Sequence, residues 1–129
     1  MKKTTTRLML GLGAAALALG GVSANAGTTY TSYNTTVGKF NGNGYTGYQT
    51  KTTSSAAGNL RSGTVGGSHV VDARMQASAG TGAWARGVND NESRTLTNSV
   101  GTGKSARVQF STNWNTRVDV QVTGSWRSN

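Results

Sequence analysis

Alternation of apolar and polar residues in the second half of the chain is the feature that most constrains the fold. Between Ser68 and Ala79 the apolar side chains recur at every second position, at Val71, Ala73, Met75 and Ala77. Side chains on a β-strand point alternately to its two faces, so this segment is predicted to be a strand with one buried face. No segment after residue 26 sustains the three- and four-residue spacing of an amphipathic helix. Recurrent short segments of this kind predict an all-β fold, a small antiparallel β-sandwich or barrel of about seven or eight short strands.

The clearest alternation lies in the stretch Ala106–Trp126. Its apolar residues occupy even-numbered positions, namely Val108, Phe110, Val118, Val120 and Val122. Equal parity on two strands of a hairpin requires an odd number of loop residues, and Asn113–Asn115 fits that requirement. The prediction is a hairpin with Trp114 at its tip, in which Phe110 faces Val118 on the buried side and Gln109 lies outside.

The N-terminal third is rich in Gly, Asn, Thr and Ser and is predicted to form weaker strands. Two Asn-Gly steps in Asn41–Gly44 predict a turn that joins Thr35–Phe40 to Tyr45–Thr53 as a first hairpin. In the later strand Ala83–Val88, Trp84 is assigned to the core.

The tyrosines of the N-terminal third allow two interpretations, and they are Tyr30, Tyr33, Tyr45 and Tyr48. Exposed rings could form a platform for sugars or bases. Aromatic side chains on a half-buried sheet more often belong to the core, so core packing is the preferred interpretation.

The first 26 residues have the organisation of a secretory signal peptide. Basic residues precede the apolar run Leu8–Leu19, and the small-residue triplet Ala24–Ala26 is typical of a cleavage site. The run is shorter than the roughly 20 apolar residues of a transmembrane helix. We therefore expect a cleaved signal peptide over residues 1–26, a single β domain over residues 27–129, and a secreted, extracellular protein without a transmembrane segment.

The composition is strongly basic. The formal net charge of the whole chain is +9. Three of its basic residues, Lys2, Lys3 and Arg7, fall in the predicted signal peptide. Most of the remaining basic residues are arginines, whose guanidinium groups suit phosphate and carboxylate partners. The predicted partner is an anionic cell-wall or membrane-surface component, or else a protein, with nucleic acid disfavoured; a purely solubilising charged surface is the alternative. The lack of cysteine is typical of exported bacterial proteins rather than disulfide-rich animal secretions.

Few residues are suited to catalysis or metal binding. The chain has one histidine, no cysteine and four acidic residues. His69 and Asp72 are three residues apart, which places them on opposite faces of a strand. The loop Asn89–Glu92 clusters oxygen-bearing side chains but lacks the spacing of an EF-hand. The prediction is a protein without enzyme activity, metal or cofactor; a secreted hydrolase built from long-range contacts is the weakest alternative.

Two features of the chain point to a known family. One is the run Gly82-Ala83-Trp84-Ala85-Arg86 followed by an aromatic-tipped strand, and the other is a small basic β domain without cysteine that follows a signal peptide. In these two respects the chain resembles lactococcin-type secreted bacteriocins. The resemblance covers Gly82–Trp114, and this chain departs from it by continuing through a further strand to Trp126. It implies a β-sandwich and non-enzymatic action on the envelope of related bacteria through a wall precursor. It transfers no site residues.

The candidate binding residues are Trp114, Arg107, Arg117 and Arg86. In the predicted hairpin the first of these lies at the tip, either displayed or folded back, with Arg107 and Arg117 on the outer face beside it. Trp and Arg often occur together in interface hot spots. The predicted function is a secreted, non-enzymatic basic protein that binds an anionic cell-envelope component, such as a bacteriocin-like antimicrobial. The alternative is a secreted inhibitor or adhesin-like module that presents the Trp114 loop to a protein partner.

Overall fold

Two β-sheets pack face to face in the computed structural model, which describes residues 25–129. In chain order the strands are β1 (Asn25–Ala26), β2 (Thr31–Val37), β3 (Asn43–Tyr45), β4 (Gln49–Thr50), β5 (Gly58–Val65), β6 (Val71–Gln76), β7 (Ala85–Val88), β8 (Glu92–Leu96), β9 (Ser105–Ser111) and β10 (Val120–Arg127). This confirms the predicted all-β sandwich. The predicted signal peptide, apart from its last two residues, lies outside the described residues. Over residues 25–129 no helix is both long and apolar enough to cross a membrane.

The strands divide into a four-stranded sheet, ordered β8-β5-β10-β2, and a six-stranded sheet, ordered β1-β4-β9-β6-β7. Strand β3 also pairs with β9, on the same edge as β4. Neighbouring strands are antiparallel except for the short pair β1 and β4. The short strands β1, β3 and β4 raise the strand count above the predicted seven or eight.

The core lies between the sheets. It is built from the residues that point inward, at about every second position along strands of both sheets. The predicted apolar face of β6, with Val71, Ala73 and Met75, is fully buried. Tyr33 of β2 contacts Phe110 of β9 across the sandwich, with 5.1 Å between ring centroids. The even-numbered parity of the later strands therefore predicts the buried side chains of β9 and β10 correctly.

The predicted C-terminal hairpin is wrong. Strand β9 pairs with β6, β3 and β4, whereas β10 pairs with β2 and β5 in the other sheet. Residues 112–119 form an arch between the sheets, and Val118 within it is 51% exposed rather than paired with Phe110. Strands β9 and β10 lie in facing sheets, and both point their even-numbered residues toward the shared core. The same alternation would be seen in a hairpin, so alternation alone does not distinguish an arch from a hairpin.

The predicted first hairpin is also wrong, because β2 and β3 belong to different sheets. The chain turns at Phe40 and Asn41, whose φ angles are 54° and 61°. A Cβ atom on Gly42 would lie 2.4 Å from the carbonyl group of Gly38, so the close return of the chain here requires glycine. The Asn-Gly steps mark a tight turn correctly, but a turn signal does not specify which strand each arm pairs with.

A polar clamp, formed by Gln49 and Lys51, joins the sheets at one end of the sandwich. The Gln49 side chain donates to the carbonyl oxygen of Trp126 at 2.9 Å and accepts from the backbone N–H of Ser128 at 2.8 Å. The ammonium group of Lys51 donates to the carbonyl oxygens of Ser128, at 2.9 Å, and Ala56. Burial lowers the pKa of Lys51, which makes no ion pair with any acidic side chain in residues 25–129.

Alkaline pH should destabilise the fold through Tyr33. Burial raises the pKa of Tyr33 to about 12, although a side-chain hydrogen bond with Ser62 opposes the shift. The ordinary value of 10.0 applies to the unfolded chain, so the folded chain holds a proton that the unfolded chain loses between these two values. We expect this contribution, about 3 kcal/mol, to be present below pH 10 and lost by about pH 12.

Urea unfolding of the wild type and Tyr33→Phe at pH 9, 10, 11 and 12 tests this expectation. The Phe variant should be less stable than the wild type at pH 9, because it loses the hydrogen bond with Ser62. Its stability should then fall less steeply above pH 10. Parallel pH profiles for the two proteins would contradict the assignment of the alkaline loss to Tyr33.

Candidate functional site

The outer face of the six-stranded sheet carries a continuous row of arginines, aromatic rings and glutamines. Side chains alternate along β9, so Val108 and Phe110 point into the core and the odd-numbered residues point toward the outer face. We call this surface the arginine–aromatic face. Its members are Tyr45, Tyr48, Asp72, Arg74, Gln76, Trp84, Arg86, Arg107 and Gln109.

Arg107 is held over two tyrosines. Its guanidinium carbon lies 3.9 Å from the ring centroid of Tyr45 and 5.0 Å from that of Tyr48. Its Nε donates to Oε1 of Gln76, the residue opposite it on β6, at 2.8 Å. The guanidinium is therefore fixed by stacking and by one hydrogen bond, and its terminal amino groups make no further hydrogen bond within residues 25–129.

Trp84 lies against two guanidinium groups. Those of Arg74 and Arg86 are 4.4 Å and 5.7 Å from its ring. Nε of Arg74 also donates to Oε1 of Gln109 at 2.8 Å, and Gln109 in turn donates to Asn43 at 2.9 Å. The assignment of Trp84 to the core is wrong, because this half-buried ring lies on the outer face and guanidinium groups rather than core residues cover it.

One acidic side chain lies among the three arginines of the face. Asp72 pairs with Arg86 at 2.7 Å and also accepts a hydrogen bond from the backbone N–H of Gly87 at 3.0 Å. Arg74 and Arg107 are diagonal neighbours on β6 and β9, about 7–8 Å apart in antiparallel sheets. The face therefore offers two adjacent guanidinium groups without a carboxylate partner, in fixed orientations, on an open surface.

The structure separates the predicted site residues into two regions. Arg86 and Arg107 lie on the arginine–aromatic face. Trp114, which is 79% exposed, and Arg117 lie on the arch at one end of the sandwich. Arg107 is four strand residues from the end of β9, about 13 Å at 3.3 Å per residue, so it does not flank Trp114 as the predicted hairpin required.

Sequence reasoning missed Arg74, Gln76 and Gln109 as members of a binding face, and it preferred the core for Tyr45 and Tyr48. Both tyrosines are exposed. A signal was present, because arginine and glutamine occupy every second position on two neighbouring strands. Recognising it requires the pairing of β6 with β9, which alternation within each strand does not specify.

The residues considered for catalysis and metal binding do not converge. His69 lines a shallow polar cleft of about 310 Å³ together with Asn113 and Thr116 of the arch. In the loop Asn89–Glu92, Asp90 accepts a hydrogen bond from the backbone N–H of Val65 at 2.6 Å. Within residues 25–129 no three His, Cys, Asp or Glu side chains are placed to hold a metal ion.

No protein-family model, curated protein or solved structure matches this chain. The similarity to lactococcin-type bacteriocins therefore stays a prediction based on the residues of Gly82–Trp114.

Proposed function

We propose that the protein is a secreted, non-enzymatic binding protein whose arginine–aromatic face engages an anionic polymer of the bacterial cell envelope. One observation carries the proposal. Three guanidinium groups lie over aromatic rings on one open sheet face that holds a single carboxylate.

The geometry of the face favours phosphate- or carboxylate-bearing chains. Arginine binds such groups through parallel hydrogen bonds, and a guanidinium already held by stacking loses less side-chain freedom on binding. The exposed rings of Tyr45 and Tyr48 can pack against the apolar faces of sugars. An open sheet suits an extended polymer better than a small molecule, which needs a concave site.

The acidic residues support a binding role over a catalytic one. All four accept hydrogen bonds that hold the fold: Asp72 from Gly87, Asp90 from Val65, Glu92 from Asn89 and Asp119 from Lys39. Carboxylates engaged in this way are poorly placed to transfer protons to a substrate.

Binding to purified teichoic acid tests the proposal. Arg107→Gln should weaken binding about tenfold, because one charge-assisted contact and its stacked geometry are lost. Arg61→Gln is the matched control, because Arg61 lies on β5 of the other sheet and its guanidinium carbon is 3.7 Å from the ring centroid of Tyr30. The Arg61→Gln substitution removes the same charge and a similar contact between a guanidinium group and a tyrosine ring. Binding of this variant should stay within about twofold of the wild type. Equal losses in both variants would show that binding follows net charge and not the arginine–aromatic face.

The finer proposal is a bacteriocin-like action on related bacteria. It is supported by the export signal, the basic charge and the resemblance of Gly82–Trp114. The purified protein should inhibit growth of related strains, and Arg107→Gln should raise the inhibitory concentration in proportion to its loss of polymer binding. If Arg107→Gln inhibits growth at the same concentration as the wild type, antimicrobial action does not depend on the arginine–aromatic face.

A further inference from the structure

A second surface lies at the end of the sandwich where the arch meets the turn between β2 and β3. Three of the large apolar side chains that residues 25–129 expose are found there, and they are Phe40, Trp114 and Val118, with exposures of 56%, 79% and 51%. Lys39 and Arg117 adjoin them in sequence and are exposed. We call these five residues the tip patch.

Backbone hydrogen bonds join the two loops of the tip patch into one unit. The N–H of Phe40 donates to the carbonyl oxygen of Thr116 at 2.8 Å, and that of Asn41 donates to Asn113 at 3.0 Å. The buried hydroxyl of Thr112 donates to the carbonyl oxygen of Gly38 at 2.6 Å. The backbone that carries the three apolar side chains is therefore braced, and the two loops are not independent.

Fold stability does not explain the phenylalanine in this unit. Phe40 has a φ of 54°, a left-handed conformation that bulky side chains adopt at a cost in strain. Its ring is also more than half exposed, so little burial offsets that strain. Asparagine, which follows at position 41, or glycine would make the same turn at lower cost. A contact with something outside the chain would account for the side chain at this position.

The chemistry of the tip patch fits an anionic lipid surface. Aromatic rings settle at the boundary between headgroups and acyl chains, and neighbouring cations attract lipid phosphates. The one acidic side chain of the arch, Asp119, accepts from the backbone N–H of Lys39 at 3.1 Å, so it braces the turn. We propose that Phe40, Trp114 and Val118 insert into the headgroup region of an anionic bilayer, with Lys39 and Arg117 on the lipid phosphates.

This inference does not rest on the proposed function of the arginine–aromatic face. The two surfaces share no residue, and strand β9 separates Arg107 from the arch. Loss of one binding activity can therefore be measured while the other is retained.

Sedimentation with vesicles tests the proposal. The purified protein should partition onto vesicles of equal parts phosphatidylglycerol and phosphatidylcholine at least about tenfold more strongly than onto pure phosphatidylcholine. Trp114→Ala and Phe40→Asn should each reduce that partition about fivefold or more without lowering the thermal midpoint. Phe40→Asn should even raise the midpoint, because asparagine tolerates the left-handed turn.

The matched control is Tyr48→Ala, which removes a 49%-exposed aromatic ring from the arginine–aromatic face. It should leave vesicle partition within about twofold of the wild type, while Trp114→Ala leaves teichoic acid binding unchanged. Equal loss of partition in Tyr48→Ala and Trp114→Ala, or no partition at low salt, would overturn the proposal. So would a homodimer in sedimentation velocity that Trp114→Ala dissociates, because the patch would then be a self-association surface.

Discussion

Replacing Val120 with aspartate is expected to unfold the protein at room temperature. Val120 is 1% exposed, begins β10 and lies opposite Val37 of β2, which is also buried. An unpaired carboxylate at this position would cost about 4 kcal/mol or more, a large part of the 5–15 kcal/mol that stabilises a typical domain. Circular dichroism of the variant should show loss of the β spectrum, or a urea midpoint close to zero.

The control for Val120→Asp is the same change at the next residue. Gln121 points away from the core, where its side chain hydrogen-bonds with Thr36 and Asn34. Gln121→Asp should cost less than about 1 kcal/mol, because an exposed carboxylate stays hydrated. Comparable damage in both variants would mean that β10 is buried on both faces.

Alternation predicted the buried residues of the later strands but not their pairing. It identified the inward faces of β6, β9 and β10, and with them the sandwich. It failed at Val118, which shares the parity of Val120 but lies in the arch. Parity is a local property of the chain, whereas pairing depends on where the chain changes sheet, and turn residues mark both events alike.

The candidate site was predicted in part. Parity predicts that Arg107 faces outward, whereas it places Arg86 on the same side as Trp84 and Val88. Trp114 is exposed, which agrees with one of its two interpretations, display at the loop tip. Trp84 was assigned to the core because residue type does not reveal what covers a ring. A guanidinium covers an aromatic face about as well as an aliphatic side chain does, and it leaves that ring on the outside of the fold.

The two proposed surfaces are compatible in one bound orientation. The arch connects the end of β9 to the start of β10, and the other loop of the tip patch connects β2 to β3, so these strands run toward the end of the sandwich that would contact lipid. The arginine–aromatic face would then stand beside the bilayer instead of against it. A polymer anchored to the same membrane could reach the face without displacing the tip.

Replacing Lys51 with glutamate is expected to have the second large effect. The ammonium group of Lys51, 1% exposed as a residue, donates to the carbonyl oxygens of Ala56 and Ser128. A carboxylate there would face two acceptors, with no donor to replace the lost hydrogen bonds. We expect a loss of about 4 kcal/mol or more, measured as a collapse of the urea midpoint.

Lys104→Glu is the control for charge alone. Lys104 is exposed, and its carbonyl oxygen accepts a hydrogen bond from the backbone N–H of Lys51 at 2.9 Å. The Lys104→Glu substitution therefore makes the same charge reversal close to Lys51. Its effect should stay within about 0.5 kcal/mol. Equal losses in the two variants would indicate that the Lys51 ammonium is hydrated instead of bonded in the clamp.

Lys51→Met separates the burial of the charge from the packing of the side chain. Burial lowers the pKa of Lys51, so between that lowered value and the ordinary 10.5 the unfolded chain binds a proton that the folded chain has lost. The stability contribution of Lys51 therefore rises with pH through that window. The difference in unfolding free energy between wild type and Lys51→Met, in which the contribution of Tyr33 cancels, should shift toward the wild type as pH rises to about 10.5. A difference that stays constant over this range would show that Lys51 carries the same proton in the folded and unfolded chain.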